Sequence, residues 1–246
     1  MEQAKTTEVS AAVDTNFMDE FAGNGLDTIT SAETLSAYLG LVQPSSQYVS
    51  EDNPAGCWTN SATHRSYGNM VRVVPLAFRT IWSERESVAP FRTVATYEPH
   101  SIEVDVRQPP AGKRGYPKMF NKQSGNEIKE LYIYAVMLPD YPEDGVLFFS
   151  PTVGSMRACK AWNTQLKGNI LPNGKQAPIF GNTWNLICEL VDNPNQPNTK
   201  VTQFTKLQKD TVISKELFTD HVKPVLASVQ QNVQLLTAPA DEDASE

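Results

Sequence analysis

Residues 130–150 read ELYIYAVMLPDYPEDGVLFFS, in which two apolar, β-prone runs flank a turn. Tyr, Ile, Val, Leu and Phe fit a buried pleated surface, and the Pro-Asp-Tyr-Pro-Glu-Asp-Gly sequence between the runs predicts a hairpin. Residues 151–168, PTVGSMRACKAWNTQLKG, follow directly. They are typical of a short helix, with Ser150 as its N-cap and Pro151 at its first position. The segment therefore predicts a hairpin that carries a helix on its surface.

Further strand-like segments lie on both sides of this hairpin. They are rich in β-branched and aromatic residues, or alternate apolar with polar side chains, and they comprise residues 70–82, 91–97, 101–107, 183–191 and 200–208. Pro75 is compatible only with an edge strand or a bulge. The pattern predicts a single α+β domain, an antiparallel β-sheet with short packed helices. An OB-like barrel is the alternative.

Two more segments show apolar residues at helical spacing. In residues 30–44, Leu39 and Val42 belong to one apolar face, which predicts a short amphipathic helix. Residues 214–236 carry a longer apolar stripe that either covers the sheet or pairs with a second subunit. Pro224 within this stripe should kink or break the helix.

Charge is distributed unevenly along the 246 residues, whose net charge is −7. Residues 1–54 carry nine acidic side chains and one basic, residues 237–246 carry four acidic and none basic, and residues 55–236 carry 15 acidic and 20 basic. A basic body between acidic ends is typical of a protein with a polyanion-binding face, although acidic ends also simply keep a protein in solution. We expect a disordered acidic segment at 1–22, a binding domain at 23–236, and a flexible acidic tail at 237–246.

Several functional classes find little support in the sequence. The three cysteines, Cys57, Cys159 and Cys188, have neither disulfide-rich nor zinc-knuckle spacing, which favours a reducing cytoplasm. No apolar run approaches the roughly 20 residues of a membrane span, and the N-terminus does not have the order of a signal peptide. We expect no membrane association.

A catalytic centre is not expected either. The glycine-lysine pairs lack P-loop spacing, and the three histidines lie far from one another in sequence. Asp140, Glu127 and Lys129 suggest a metal-dependent nuclease, but Lys129 precedes the aspartate and inverts the usual order. We therefore expect no enzyme, no cofactor and no metal, and keep the nuclease as an alternative.

The chain contains the two residue types that single-stranded nucleic acid needs, cations for phosphates and aromatic rings for unpaired bases. The candidate binding residues lie in two strand segments, one loop and the central helix, and are Arg72, Arg79, Arg92, Lys113, Arg114, Tyr116, Lys118, Arg157, Lys160 and Trp162. Each has a plainer interpretation. Trp162 and Tyr116 could pack in the core. Arg72 and Arg79 could pair with Glu103 and Asp105 on a neighbouring strand.

Three runs carry a resemblance to a known family. They are EFAGNGLDTITSAETLSAYLGLVQPSS (20–46), NMVRVVPLAF (69–78) and YPKMFNKQSGNEIKELYIYAVMLPDYPEDGVLFFSPTVGSMRACKAWN (116–163). The sequence resembles bacteriophage proteins of DNA metabolism, and more narrowly the single-stranded-DNA-binding RNA polymerase cofactors of lytic podoviruses. The resemblance covers nearly the whole chain and has no short diagnostic motif.

The resemblance implies a non-enzymatic protein in the cytoplasm of the infected bacterial host. Such a protein prefers single strands, recruits the phage RNA polymerase to melted promoters or supports replication, and has a fold distinct from the five-stranded OB barrel. Its acidic tail, here with Asp241, Glu242 and Asp243, would contact protein partners, and we expect a homo-oligomer. The alternative outside nucleic-acid binding is a virion structural or assembly protein that uses the C-terminal apolar stripe as its oligomer interface.

Overall fold

The strands of the sheets are built from the segments with β-prone sequence. The computed structural model describes residues 37–47, 49–86, 92–109, 117–151, 153–193, 196 and 198–232, which all lie within the compact unit Ser36–Glu246. The strands in these ranges are β1 (Leu39–Leu41), β2 (Trp58–Asn60), β3 (Ser66–Gly68), β4 (Met70–Arg85), β5 (Thr93–Tyr97), β6 (Val104–Arg107), β7 (Lys118–Asn121), β8 (Glu127–Met137), β9 (Val146–Phe149), β10 (Asn182–Asp192) and β11 (Lys200–Val212).

Helices are few and short in the same ranges. Helix α1 is Met156–Lys167, and a C-terminal helix follows β11. The C-terminal helix consists of α2 (Lys215–Leu217), a π-helical segment (Phe218–Val222) and α3 (Lys223–Asn232). Single 3₁₀ turns occur at Pro142–Asp144, Val153–Ser155 and Ile179–Gly181.

The main sheet is antiparallel and open. Its order is β11-β10-β4-β8-β7-β6, with β5 also paired to β4 and β9 also paired to β8. The long strands β4 and β8 form the centre of the sheet. Strand β4 pairs with β10 near its start and with β5 near its end, and β8 likewise pairs with β7 near its start and with β9 near its end. Strands β1, β2 and β3 form a second, three-stranded antiparallel sheet. The predicted α+β class is confirmed, and the sheet does not close into the alternative OB-like barrel.

The central hairpin has the predicted form. Strands β8 and β9 pair antiparallel in the register Tyr134↔Phe149 to Met137↔Val146, and the 3₁₀ turn lies between them. The expectation for Pro75 is also confirmed, since β4 lies inside the sheet and its pairing with β8 shifts register between Pro75 and Ala77. The bulge accommodates a residue that cannot donate a ladder hydrogen bond.

The two faces of the main sheet carry separate apolar clusters. One contains Trp162 of α1 with Tyr134 of β8 and Trp184 of β10. The other contains Val222 and Val229 of the C-terminal helix against the opposite face of β4 and β8. The described part of the C-terminal stripe therefore covers the sheet, which was one of the two predicted roles of the stripe. These buried valines are not available as the oligomer interface of a virion protein.

Pro224 does not break the C-terminal helix, so of the two predicted effects, a kink or a break, the break is wrong. The backbone hydrogen bonds of the helix instead change to the wider π-helical pattern over Phe218–Val222, immediately before α3. A proline removes one backbone donor and crowds the carbonyl four residues earlier, and a wider turn relieves this crowding. The helix consequently stays continuous across the proline.

Three local predictions were wrong. The part of the 30–44 helix that the structure describes is β1, because Leu39 packs in the core and pairs with Asn60 of β2. Helix α1 begins at Met156, not at Pro151, and Ser155 is its N-cap. The loop expected around Lys118 contains a strand, β7, paired with β6 and β8. For β1 and β7, pairing with other segments outweighs local sequence preference.

Candidate nucleic-acid interface

Helix α1 presents an uncompensated positive charge. Its sequence, MRACKAWNTQLK, contains Arg157, Lys160 and Lys167 and no acidic residue. All three side chains are exposed. Within the part of the chain that the structure describes, none of them forms a salt bridge. A polyanion could therefore approach these cations without displacing an internal partner.

A groove runs between α1 and the edge strand β11. Its volume is about 410 Å³. Its lining residues are Gly154, Arg157, Ala158, Ala161, Gln165, Phe204, Thr205, Lys206 and Leu207. The Ser155 hydroxyl fixes the spacing of the two walls, because it accepts a hydrogen bond from the backbone N–H of Phe204 at 2.9 Å. Arg157 contributes a cation to the helix wall. The Lys206 side chain lies on the opposite face of the sheet, because Lys206 pairs with Ile187, whose neighbours Leu186 and Cys188 pack in the α1 cluster.

An acidic neighbour neutralises Lys206 on that opposite face. Lys206 Nζ lies 2.6 Å from Glu189 Oε1, and the Thr205 hydroxyl donates to the other oxygen of the same carboxylate at 2.9 Å. The hydrogen bonds from Lys206 and Thr205 lower the pKa of Glu189, so this carboxylate stays ionised. Lys209 Nζ donates to the Asn169 side-chain oxygen at 2.8 Å, just beyond the end of α1. Lys209 pairs in register with Trp184 and so shares the α1 face, and we call Arg157, Lys160, Lys167 and Lys209 the α1 basic surface.

Trp162 is not part of this surface. Its side chain is fully buried, stacked on Tyr134 with ring centroids 4.6 Å apart and edge-on to Trp184 at 6.3 Å. Tyr134 also donates a hydrogen bond to Asn163 Oδ1 at 2.8 Å. The interpretation of Trp162 as a base-stacking residue is therefore corrected, because this tryptophan anchors α1 to the sheet and a base cannot reach it.

A different aromatic pair, Phe78 and Tyr132, lies at the rim of this cluster and is not among the residues predicted from the sequence. Phe78 is 36% exposed, and its ring contacts half-buried Tyr132 at 5.4 Å and buried Tyr134 at 4.9 Å. The bulge at Pro75 shifts the alternation of β4, so that Phe78 faces the α1 side of the sheet. The sequence signal that could have identified Phe78 is Pro75, because the bulge expected at this proline reverses the face that the following residues occupy.

Arg72 and Arg79 lie on the opposite face of the sheet from α1. Arg72 alternates with Val71 and Val73, which pack in the α1 cluster, and Arg79 follows Phe78. Both are engaged in ion pairs. Arg72 pairs with Asp140 at 2.5 Å and lies 3.8 Å from Asp210, whereas Arg79 pairs with Glu98. The predicted pairing in place of phosphate contact is therefore seen, but with partners other than Glu103 and Asp105.

The remaining predicted residues are scattered or lie outside the described ranges. Arg92 is exposed just before β5. Lys118 on β7 pairs with Glu127 at 3.1 Å, several strands away from β11. The residues of the predicted contact loop and of the acidic tail, Lys113, Arg114, Tyr116, Asp241, Glu242 and Asp243, lie outside the described residues. Among the predicted residues that the structure describes, only Arg157 and Lys160 share one exposed surface.

Comparison with protein families identifies the origin of the chain. The family described as Pam3 phage gp34-like protein matches residues 4–232. The chain belongs to this phage protein family. The expected bacteriophage origin is thereby confirmed, and the narrower likeness to podovirus polymerase cofactors stays a prediction. Comparisons with curated proteins and with solved structures gave no match.

The nuclease residues of this phage protein do not converge. Glu127 begins β8 and Asp140 follows its end, so they are separated by more than the length of an 11-residue strand, roughly 35 Å. Glu127 pairs with Lys118, and Asp140 pairs with Arg72. Among the residues that the structure describes, no group of three or more His, Cys, Asp or Glu side chains could hold a metal ion.

The three cysteines are buried free thiols. Burial raises the pKa of Cys159 and Cys188 to about 12, which leaves both protonated at neutral pH and unsuited to nucleophilic chemistry.

No helix in the described ranges is long and apolar enough to cross a membrane.

The most strongly held carboxylate, that of Glu84 on β4, has a structural role. It accepts hydrogen bonds from the side chains of Tyr97, Asn121, Ser124 and Asn126 at 2.5 to 2.8 Å. Burial opposes its ionisation, but these four donors outweigh burial and lower its pKa to about 2. Glu84 thereby connects β4 and β5 to the β7–β8 turn, away from α1.

Proposed function

We propose that this phage protein binds single-stranded DNA with little sequence preference, and that the α1 basic surface binds the phosphates. The observation that carries the proposal is the charge of α1, which exposes Arg157, Lys160 and Lys167 with no carboxylate on the helix. Binding a polyanion at such a surface releases counterions, which makes it favourable and dependent on salt. Contacts to phosphate alone do not depend on sequence.

In the infected host, the proposed role is in phage transcription or replication. A protein that covers melted DNA can bring the phage RNA polymerase to a promoter, and the acidic residues Asp241, Glu242 and Asp243 are suited to contacting such a partner. The proposal includes a location in the host cytoplasm, a homo-oligomeric state and no catalytic activity.

Titration of the wild-type protein with a fluorescent oligonucleotide tests the proposal. We expect anisotropy to report tighter binding to a single strand than to a duplex of the same sequence, and affinity that falls as salt rises. The bound strand should stay intact when a divalent metal is added. Equal affinity for both forms, or affinity independent of salt, would contradict the proposal. Cleavage of the strand would favour the nuclease instead.

A virion assembly protein is the second candidate, and a small apolar patch favours it. Val212 is 75% and Ile170 57% exposed. Both lie beside Asn182, which is in register with Val212 and bonded to Asn169 at 2.6 Å. Light scattering and the absorbance of the purified protein at 260 nm separate the two candidates. Small oligomers that carry nucleic acid support DNA binding, and large assemblies free of nucleic acid support the virion role.

A further inference from the structure

Phe78 lies at the exposed end of a rigid series of aromatic rings. It contacts Tyr134 at 4.9 Å, and Tyr134 in turn stacks on Trp162 with an interplanar angle of 19°. Tyr134 and Trp162 are fully buried, so the inner part of the series is fixed. At the surface, Phe78 meets Tyr132 edge to face at 5.4 Å and 74°. The two outer rings are therefore held in place from below while Phe78 keeps 36% of its surface exposed.

This aromatic pair lies beside a cationic flank of α1. The Tyr134 hydroxyl bonds to Asn163 Oδ1, which identifies the flank of α1 that faces Tyr134. Lys160, Asn163 and Lys167 are spaced i, i+3 and i+7 and so share that flank. The two lysines consequently lie on the side of the helix nearest to Phe78 and Tyr132, whereas Arg157 faces the groove on the other side.

The negative charge near the pair limits the path of a ligand. Glu130 is exposed and precedes Tyr132 by two residues on the same face of β8. A phosphate would be repelled on the Glu130 side and attracted on the α1 side. The arrangement therefore favours a strand that has its phosphates along Lys160 and Lys167 and its bases turned toward the rings.

We infer that Phe78 and Tyr132 form a base-stacking platform for a single strand whose phosphates lie along Lys160 and Lys167. The inference rests on the proposed function and adds the residues that select single strands. Bases in a duplex are already paired and stacked, so only an unpaired base can place its face on a protein ring. Because every base has such a face, the platform accepts any sequence.

Two oligonucleotides of equal length test the platform, one of deoxythymidine and one with abasic sugars on the same phosphate backbone. Wild-type protein should bind the thymidine strand more tightly. Phe78→Leu keeps an apolar side chain but removes the ring, and it should lose roughly 5- to 150-fold in thymidine affinity. Its affinity for the abasic strand and its salt dependence should not change, and Phe78→Tyr should restore the preference for bases.

The matched control is Phe120→Leu. Phe120 is a half-buried phenylalanine on β7, with the Arg107 guanidinium 4.0 Å from its ring centroid, and it lies away from α1. This variant should bind both strands like wild type. If Phe78→Leu keeps the full preference for bases, the platform is wrong while single-strand binding stands. If wild type binds neither strand, the proposed function fails and the platform with it.

Photocrosslinking of the wild-type protein gives a readout that does not depend on the folding of any variant. A strand carrying 5-iodouracil reacts with aromatic rings stacked on the base. Mass spectrometry should locate the adduct on Phe78 or Tyr132. An adduct found only outside these two residues would overturn the platform.

Discussion

Cations on the two faces of the main sheet have opposite environments. On the α1 face, Arg157, Lys160 and Lys167 have no carboxylate partner among the described residues. On the other face, Arg72 and Arg79 form ion pairs with side chains from neighbouring segments. A paired cation contributes little external field, whereas an unpaired one attracts phosphate. The number of basic residues therefore says less about a binding face than whether the fold supplies each with an acid.

The cations of α1 form a fixed surface only if α1 is firmly anchored to the sheet. Trp162→Ala tests this anchoring. Removing a fully buried tryptophan between Tyr134 and Trp184 leaves a large cavity. We expect a loss of about 3–5 kcal/mol in the free energy of unfolding. Chemical denaturation measures this loss, and a change below about 1 kcal/mol would show that α1 is not anchored as described.

Glu84 lies in a part of the sheet away from the α1 basic surface. It tests whether a hydrogen-bonded carboxylate stabilises the sheet there. Its folded pKa of about 2 lies below the ordinary value of 4.5, so its contribution is complete above pH 4.5 and is lost as pH falls toward 2. The contribution is at most on the order of 3 kcal/mol. Denaturation between pH 2 and 7 should show this loss in wild type, and a weaker pH dependence in Glu84→Gln. Identical pH profiles would contradict the role of Glu84.

Arg72→Gln tests the paired side of the comparison directly. It removes a partly exposed ion pair with Asp140 and the approach to Asp210. We expect a loss of no more than about 1 kcal/mol in stability. We also expect affinity for single-stranded DNA to stay within about twofold of wild type, since no phosphate contact is lost. A large loss of affinity with unchanged stability would place Arg72 in the binding site.

Much of the fold was predictable because β-prone runs and turn residues agree locally. The β8–β9 hairpin, the β10–β11 pair and the bulge at Pro75 follow from the sequence in this way. Leu39 was assigned to a helix because its spacing from Val42 fits a helical face. Strand β1 forms because it pairs with β2, and pairing with a segment distant in sequence leaves no local pattern that would distinguish a short strand from a helix.

The candidate site was predictable only in part. Arg157 and Lys160 were selected by charge alone, and the structure places both on one surface. Strict alternation would put Arg72 and Arg79 on opposite faces of β4, but the bulge places both opposite α1 and brings Phe78 to the α1 side. Ion pairs between distant segments also leave no sequence signal, so the engagement of Arg72 by Asp140 could not be foreseen.

Unpaired cations on α1 should bind the strand, and paired cations elsewhere should not. The most direct test compares two triple variants by the slope of log affinity for single-stranded DNA against log salt. One variant changes Arg157, Lys160 and Lys167 to Gln. Its control changes three exposed, ion-paired cations far from α1 to Gln, namely Arg107, Lys118 and Lys122.

Both triple variants remove the same amount of charge from the protein. We expect the α1 variant to bind more weakly and its slope to flatten by about 2–3, near one for each lost phosphate contact. The control variant should keep a slope close to that of wild type. Equal slopes in the two variants would show that binding responds to net charge alone, and would contradict the account of α1 as the binding surface.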